Sequence, residues 1–224
     1  VKRLLKVMDH INAASEYQRF GTLYSLLDLE ASGLDKKEAE DLRNMSEWTN
    51  INNIVAMKRF IKEAHRKASD TNAATTEAEL LKLQVYTDLA KHFPETEDEM
   101  LLSLSLAQWH YDKRRYLHTL IVLQESLIAF GMAVCKENTQ NLSAVELRKL
   151  RQKYHYRIQG LGGTHTLGKF YIKLSDLRNQ IIHGSLNHES NLEMINKTKE
   201  TIEEFEKLYT NYETKAQQAT LAAE

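Results

Sequence analysis

A single proline, Pro94, in 224 residues is the strongest constraint on how this chain can fold. Proline removes a backbone donor and blocks the helix around it, so its near absence leaves almost the whole length free to be helical. Chains rich in strands need frequent turn residues, and only eight glycines accompany that proline. The apolar residues repeat with the helical period almost throughout. The expected class is all-α, a multi-helix bundle, and 42% hydrophobic residues can supply one substantial core or two small ones.

Punctuation residues divide the chain. A first helix is expected over 1–31, stopped by Gly33, and a second over 35–67, with Asp35 as its N-cap. A polar linker follows at 69–76, where Thr75 or Thr76 can cap a third helix reaching 91, before Pro94. Helices over 96–111 and 113–136 each carry one apolar stripe, Leu102, Leu106 and Trp109 on the former and Tyr116, Leu120, Leu123, Leu127 and Phe130 on the latter, and together suggest a helical hairpin. Ser143 with Glu146 three residues on reads as a capping box opening a helix to 158. Four glycines between 160 and 168 predict a mobile loop, and helices over 169–183 and 189–212 close the chain. The tail beyond 212 has too few apolar residues to pack firmly.

Composition excludes several classes. A net charge of −1 gives no global signature for nucleic acid, so any RNA must be held by local patches. The longest apolar run, 116–135, is interrupted by His118, Thr119, Gln124, Glu125 and Ser126, and reads as a buried core helix rather than a membrane span. Cys135 has no second cysteine to pair with and is expected to be a buried thiol, in a reducing, cytoplasmic setting. No charged-then-apolar leader opens the chain, and the amphipathic residues Leu4, Leu5, Met8 and Ile11 follow Val1 at once, which suggests a domain upstream. The histidines lack metal-ligand spacing with cysteine or carboxylates, so neither a metal nor another cofactor is expected. Gly160-Leu-Gly-Gly-Thr lacks the strand and the Gly-Lys-Ser/Thr ending of a phosphate loop.

The chemistry concentrates in Leu-Arg-Asn-Gln-Ile-Ile-His-Gly at 177–184. An Arg followed by His after four to six intervening residues also occurs from Arg3 to His10 and from Arg59 to His65, so spacing alone is noise. Requiring Asn directly after Arg lowers the chance expectation to about 0.03 copies in a chain with 11 Arg, 13 Asn and 9 His. Phe170, Leu174, Leu177 and Ile181 mark the core face of this helix, and Asn179 shares a face with His183. Arg178 and His183 are five apart, about 140° around an ideal helix, so one helix does not aim both at one atom. Either Gly184 lets the helix end unwind or a second copy supplies the complementary groups.

These groups suit RNA. An imidazole moves a proton at neutral pH, a guanidinium clamps a phosphate and stabilises its growing charge, and an amide orients either partner. Attack of a ribose 2′-hydroxyl on the adjacent phosphate needs no metal and leaves a 2′,3′-cyclic phosphate. Glu125, on an otherwise apolar helix, is expected to be buried as a structural carboxylate or as a partner for a basic residue such as Arg178. Arg148, Lys149, Arg151, Lys153 and Arg157, with Tyr154 and Tyr156 interleaved, form a candidate RNA-guiding series or a solvated helix face. His10, His65, His92, His110, His118, His155, His165 and His188 read as surface or internally satisfied residues.

The motif at 177–184 resembles that of the HEPN ribonucleases, and within them the CRISPR-associated (type III) CARF-HEPN effectors. Trp109-His-Tyr-Asp-Lys-Arg-Arg-Tyr leading into Leu123-Gln-Glu-Ser-Leu-Ile adds to the likeness, which covers about 96–212. The resemblance implies a HEPN domain over 96–224, a helical extension over 1–95, and a homodimer through the motif helices. Two sets of Arg178, Asn179 and His183 would then form one endoribonuclease site for single-stranded RNA in antiviral defence. It further implies activation by cyclic oligoadenylate through an N-terminal CARF domain, of which this sequence holds no strand-and-helix alternation. HEPN toxins of toxin-antitoxin pairs are similar but carry a tyrosine two residues after the His, where Ser185 stands here. A non-catalytic helical interaction module, its motif stabilising a dimer, is the alternative from another class.

Overall fold

A computed structural model of the chain describes residues 2–30, 36–70, 77–139, 141–183 and 191–221. Among these residues there is no strand, as the scarcity of proline and glycine requires. The chain divides by packing into two compact units, Val1–Arg115 and Tyr116–Glu224. The expected stop at Gly33, the caps at Asp35, Thr75 and Thr76, and the positions Gly184, Ser185 and His188 lie outside the described residues.

The first unit holds α1 (Lys2–Phe20), α2 (Tyr24–Glu30), α3 (Lys36–Asn50), α4 (Ile54–Ser69), α5 (Glu77–His92) and α6 (Glu99–Asp112). Both long helices expected before residue 67 are interrupted. Gly21, at φ +68°, ends α1 with its N–H on Tyr17 O at 2.7 Å, and a Cβ there would lie 2.6 Å from Trp109 Cζ2. Only glycine meets both demands, the left-handed backbone and the close approach of a buried indole. The second break is at Asn52, φ +57°, after which Asn53 caps α4 by accepting from Ala56 N. Periodicity hides such breaks, because the apolar pattern resumes on either side.

Pro94 does follow the end of α5, and Asp98 starts α6 by accepting from Met100 N and Leu101 N. Leu102, Leu106 and Trp109 are buried, as their stripe predicts, but α6 packs on α4 and α5. The division therefore falls at 115/116 rather than at the expected 95/96, and it separates the two helices read as a hairpin. At the centre of this unit Asp88 accepts from Tyr17 Oη (2.9 Å), Trp109 Nε1 (3.3 Å) and Lys113 Nζ (3.0 Å). Lys113 is almost fully buried over the Tyr17 ring, so Asp88 supplies the charge that permits its burial. On α1, Ala13 and Tyr17 are buried while Leu4, Leu5, Met8 and Ile11 remain exposed.

The second unit holds α7 (Tyr116–Val134), α8 (Ala144–Gly160), a 3-10 turn at Gly162–Thr164, α9 (Thr166–Ile182) and α10 (Asn191–Leu221). By length and composition alone α7 could span a membrane, with a mean hydropathy of 1.6, but 61% of that window is buried within the fold, as in a core helix. Helix α7 packs on α9 and α10, and Leu120, Leu123, Leu127 and Phe130 of α7, Phe170, Leu174 and Leu177 of α9 and Ile202 and Phe205 of α10 are all buried. Phe170 stacks on Phe205 at 5.8 Å, and Phe130 meets Phe205 edge-on at 6.4 Å. The Ser143 capping box is present, with Glu146 accepting back from Ser143 N at 2.8 Å.

The glycine-rich stretch departs from expectation. The 3-10 turn and α9 occupy it, and Gly168 lies so close to Gly162 O that no Cβ would fit between them. Gly162, at φ +57°, and Gly168 serve a tight turn against the start of α9 rather than a long loop. Helix α10 also continues to Leu221, past the expected end at 212.

Candidate functional site

The motif occupies the C-terminal end of α9, held by its apolar face: Phe170, Leu174 and Leu177 are buried and Ile181 is half-buried. That anchoring fixes where the intervening residues point. Asn179 is exposed, and its carbonyl accepts from His183 N at 2.9 Å, the last turn of the helix. His183 is exposed at the C-cap, φ −91° and ψ 8°, beyond the final helical residue Ile182. Arg178 turns the other way. It is half-buried, and its Nη1 donates to Gln124 Oε1 on α7 at 2.7 Å.

The expected carboxylate partner is thus corrected by one residue. Glu125 is exposed, its side chain 54% accessible, and pairs with Arg151 of α8 instead of Arg178. One position along a helix is 100° of rotation, so Gln124, 7% exposed, points inward where Glu125 points out. An amide there is cheaper to bury than a carboxylate. No carboxylate of a described residue lies within ion-pairing distance of Arg178, and its Nε is buried without an acceptor. A charged group left in that state is destabilising by about 1–3 kcal/mol unless something else supplies the acceptor.

Gln124 is itself held. Its Nε2 donates to Tyr171 Oη at 3.3 Å, and that hydroxyl lies 3.3 Å from His155 Nδ1 and 3.2 Å from Nε2. The Tyr171 and His155 rings meet edge-on, 5.4 Å between centroids. Neither Gln124 nor Tyr171 is among the candidate site residues of the sequence, where Gln124 only interrupts an apolar run and His155 reads as a surface or internally satisfied residue. The one available signal was a second polar residue beside Glu125 on an apolar helix.

The basic series of α8 splits across two faces. Arg148 and Arg151, with Glu125, Ile128, Ala144, Leu147, Gln152 and His155, line an open groove of about 380 Å³. Arg157 lies elsewhere, over the Tyr154 ring at 5.7 Å with its Nη1 3.9 Å from Cys135 Sγ. Cys135 is exposed, contrary to the buried thiol expected, because it follows the last residue of α7. Tyr154 donates to Glu137 Oε1 at 2.7 Å. Hydrogen bonds to Cys135 and Glu137, with burial, hold its hydroxyl well above the ordinary tyrosine range.

Beside the motif, Tyr116, Ile181, Asn191, Met194 and Ile195 line a further cavity of about 370 Å³. Among the described residues no three His, Cys, Asp or Glu side chains come together as metal ligands would. No family model, curated protein or solved structure matches the chain.

Proposed function

We propose that this chain is a metal-independent endoribonuclease of the HEPN type, cutting single-stranded RNA at a composite site to which two copies contribute Arg178, Asn179 and His183. The observation that carries the reading is the end of α9: Asn179 and His183 stand exposed on a core-anchored helix while Arg178 is drawn the other way onto Gln124. Within one copy the cation and the imidazole diverge, so a second copy related by a two-fold axis would complete each set.

In that arrangement His183 accepts the proton of a ribose 2′-hydroxyl as its oxygen attacks the adjacent phosphorus. The P–O5′ bond breaks, the 5′-oxygen takes a proton from a second acid such as the other copy's imidazole, and the products are a 2′,3′-cyclic phosphate and a 5′-hydroxyl. Arg178, half-buried, stabilises charge on the non-bridging oxygens through its guanidinium. Asn179 orients phosphate or imidazole. Arg148 and Arg151 line the open groove along α8 and are the basic residues placed to guide a strand, Arg157 lying over Tyr154 instead. A cytoplasmic role in CRISPR-type antiviral defence, with activation by cyclic oligoadenylate through an upstream CARF domain, belongs to the same proposal and rests on the resemblance.

The test is cleavage of single-stranded RNA in EDTA. Arg178→Ala and His183→Ala are each expected to abolish it with helix content unchanged by circular dichroism. No cleavage by the wild type, or equal cleavage by His183→Ala, would favour the non-catalytic interaction module.

A further inference from the structure

Gln124 can face Arg178 with either end of its amide, and only the oxygen is an acceptor. The guanidinium selects the oxygen, and a contact at the other end of the side chain holds the amide in that orientation. Nε2 lies against Tyr171 Oη, which accepts from it and sits 3.3 Å from His155 Nδ1 and 3.2 Å from Nε2. The links from Arg178 to Gln124 and from Gln124 to Tyr171 then each have one donor and one acceptor. Reversing the amide would set its NH2 against a guanidinium that carries only donors.

Both middle members are buried, Gln124 at 7% and Tyr171 at 5% exposure, so water is a poor substitute for either. Tyr171 and Arg178 are seven residues apart, two turns on one face of α9, and Gln124 bridges them from α7. The inner members come from the two helices that share the core, and α8 supplies the outer anchor.

We propose that Tyr171, backed by His155, is a positioning residue for the motif: it orients the Gln124 amide so that its oxygen holds Arg178 in place. The inference rests on the ribonuclease reading for its kinetic consequence but not for its structural one. Tyr171→Phe keeps the ring in the core and removes the acceptor. Gln124→Glu offers two equivalent oxygens, which need no orienting, so it makes Tyr171→Phe inconsequential.

The experiment uses the full chain as wild type, Tyr171→Phe, Gln124→Glu and the double variant, with two readouts. Steady-state RNA cleavage is expected to show kcat about three- to tenfold lower in Tyr171→Phe, as for loss of one buried hydrogen bond, with KM changed less than about twofold. In the Gln124→Glu background the same substitution should change kcat less than about twofold. The second readout is nitrogen-15 NMR of the Arg178 guanidinium, assigned through Arg178→Lys. Its Nη resonances should show hindered rotation in the wild type, lose it in Tyr171→Phe and regain it in the double variant. Equal kinetic losses in both backgrounds, or Arg178 resonances indifferent to Tyr171→Phe, overturn the proposal. If the wild type cuts no RNA, the ribonuclease reading falls, and the NMR comparison still decides the positioning role.

Discussion

Replacing Gly21 by alanine should strongly destabilise the first unit. Two penalties combine there. An L-residue at φ +68° meets the left-handed strain of about 1–2 kcal/mol. The new methyl would also lie 2.6 Å from Trp109 Cζ2, and the indole is 1% exposed with nowhere to retreat, an overpacking term of about 1–3 kcal/mol. Together they come to about 2–5 kcal/mol, or roughly 4–20 °C in Tm for a chain of this length. Thermal unfolding followed by circular dichroism at 222 nm, with Trp fluorescence as a second probe, measures it. Gly160→Ala is the matched control, because a Cβ at Gly160 meets nothing within 4 Å. A Gly21→Ala protein within about 0.5 kcal/mol of wild type would refute the claim that this glycine is dictated by backbone and indole together.

Three further outcomes follow from the same packing. Asp88→Ala strands the buried Lys113 and should cost about 3–5 kcal/mol, and adding Lys113→Met should recover much of that loss; chemical denaturation of the single and double variants decides, no recovery contradicting the pairing. Tyr17 is held well above the ordinary tyrosine range by burial and by Asp88, so its folded-state preference for the proton stabilises fully below about pH 10, the unfolded value, and is lost as pH rises through the folded one. Alkaline denaturation should therefore begin later in Tyr17→Phe than its neutral-pH stability implies, and identical pH slopes would argue against it. Glu125→Ala removes only an exposed pair with Arg151, so RNA cleavage and stability should stay near wild type, the latter within about 1 kcal/mol; a loss like that of Arg178→Ala would restore Glu125 to the site.

What was legible in the sequence was what periodicity and capping encode. The core face of α9 at Phe170, Leu174 and Leu177, and the Ser143 capping box, follow from local rules that tertiary structure had no reason to override. Backbone reversals were not legible, because Gly21 and Asn52 act through φ, and nothing in the alternation of apolar and polar residues registers it. The partner of Arg178 was missed for a different reason. Helix α7 is apolar nearly all round, so the stripe from Tyr116 to Phe130 does not by itself show that Gln124 faces inward and Glu125 outward. Cys135 was misplaced because an apolar run does not announce that its last residue has left the core. The relay through Tyr171 to His155 joins three helices, and such a contact has no signature in a single sequence.

The most direct test of the central claim is end-group analysis of RNA cut by the chain in excess EDTA. Mass spectrometry should find 2′,3′-cyclic phosphate and 5′-hydroxyl ends, none with His183→Ala, and no cut at nucleotides whose 2′-hydroxyl is methylated. Cleavage that persists at 2′-O-methyl positions, or that leaves 5′-phosphate ends, would contradict the proposed chemistry.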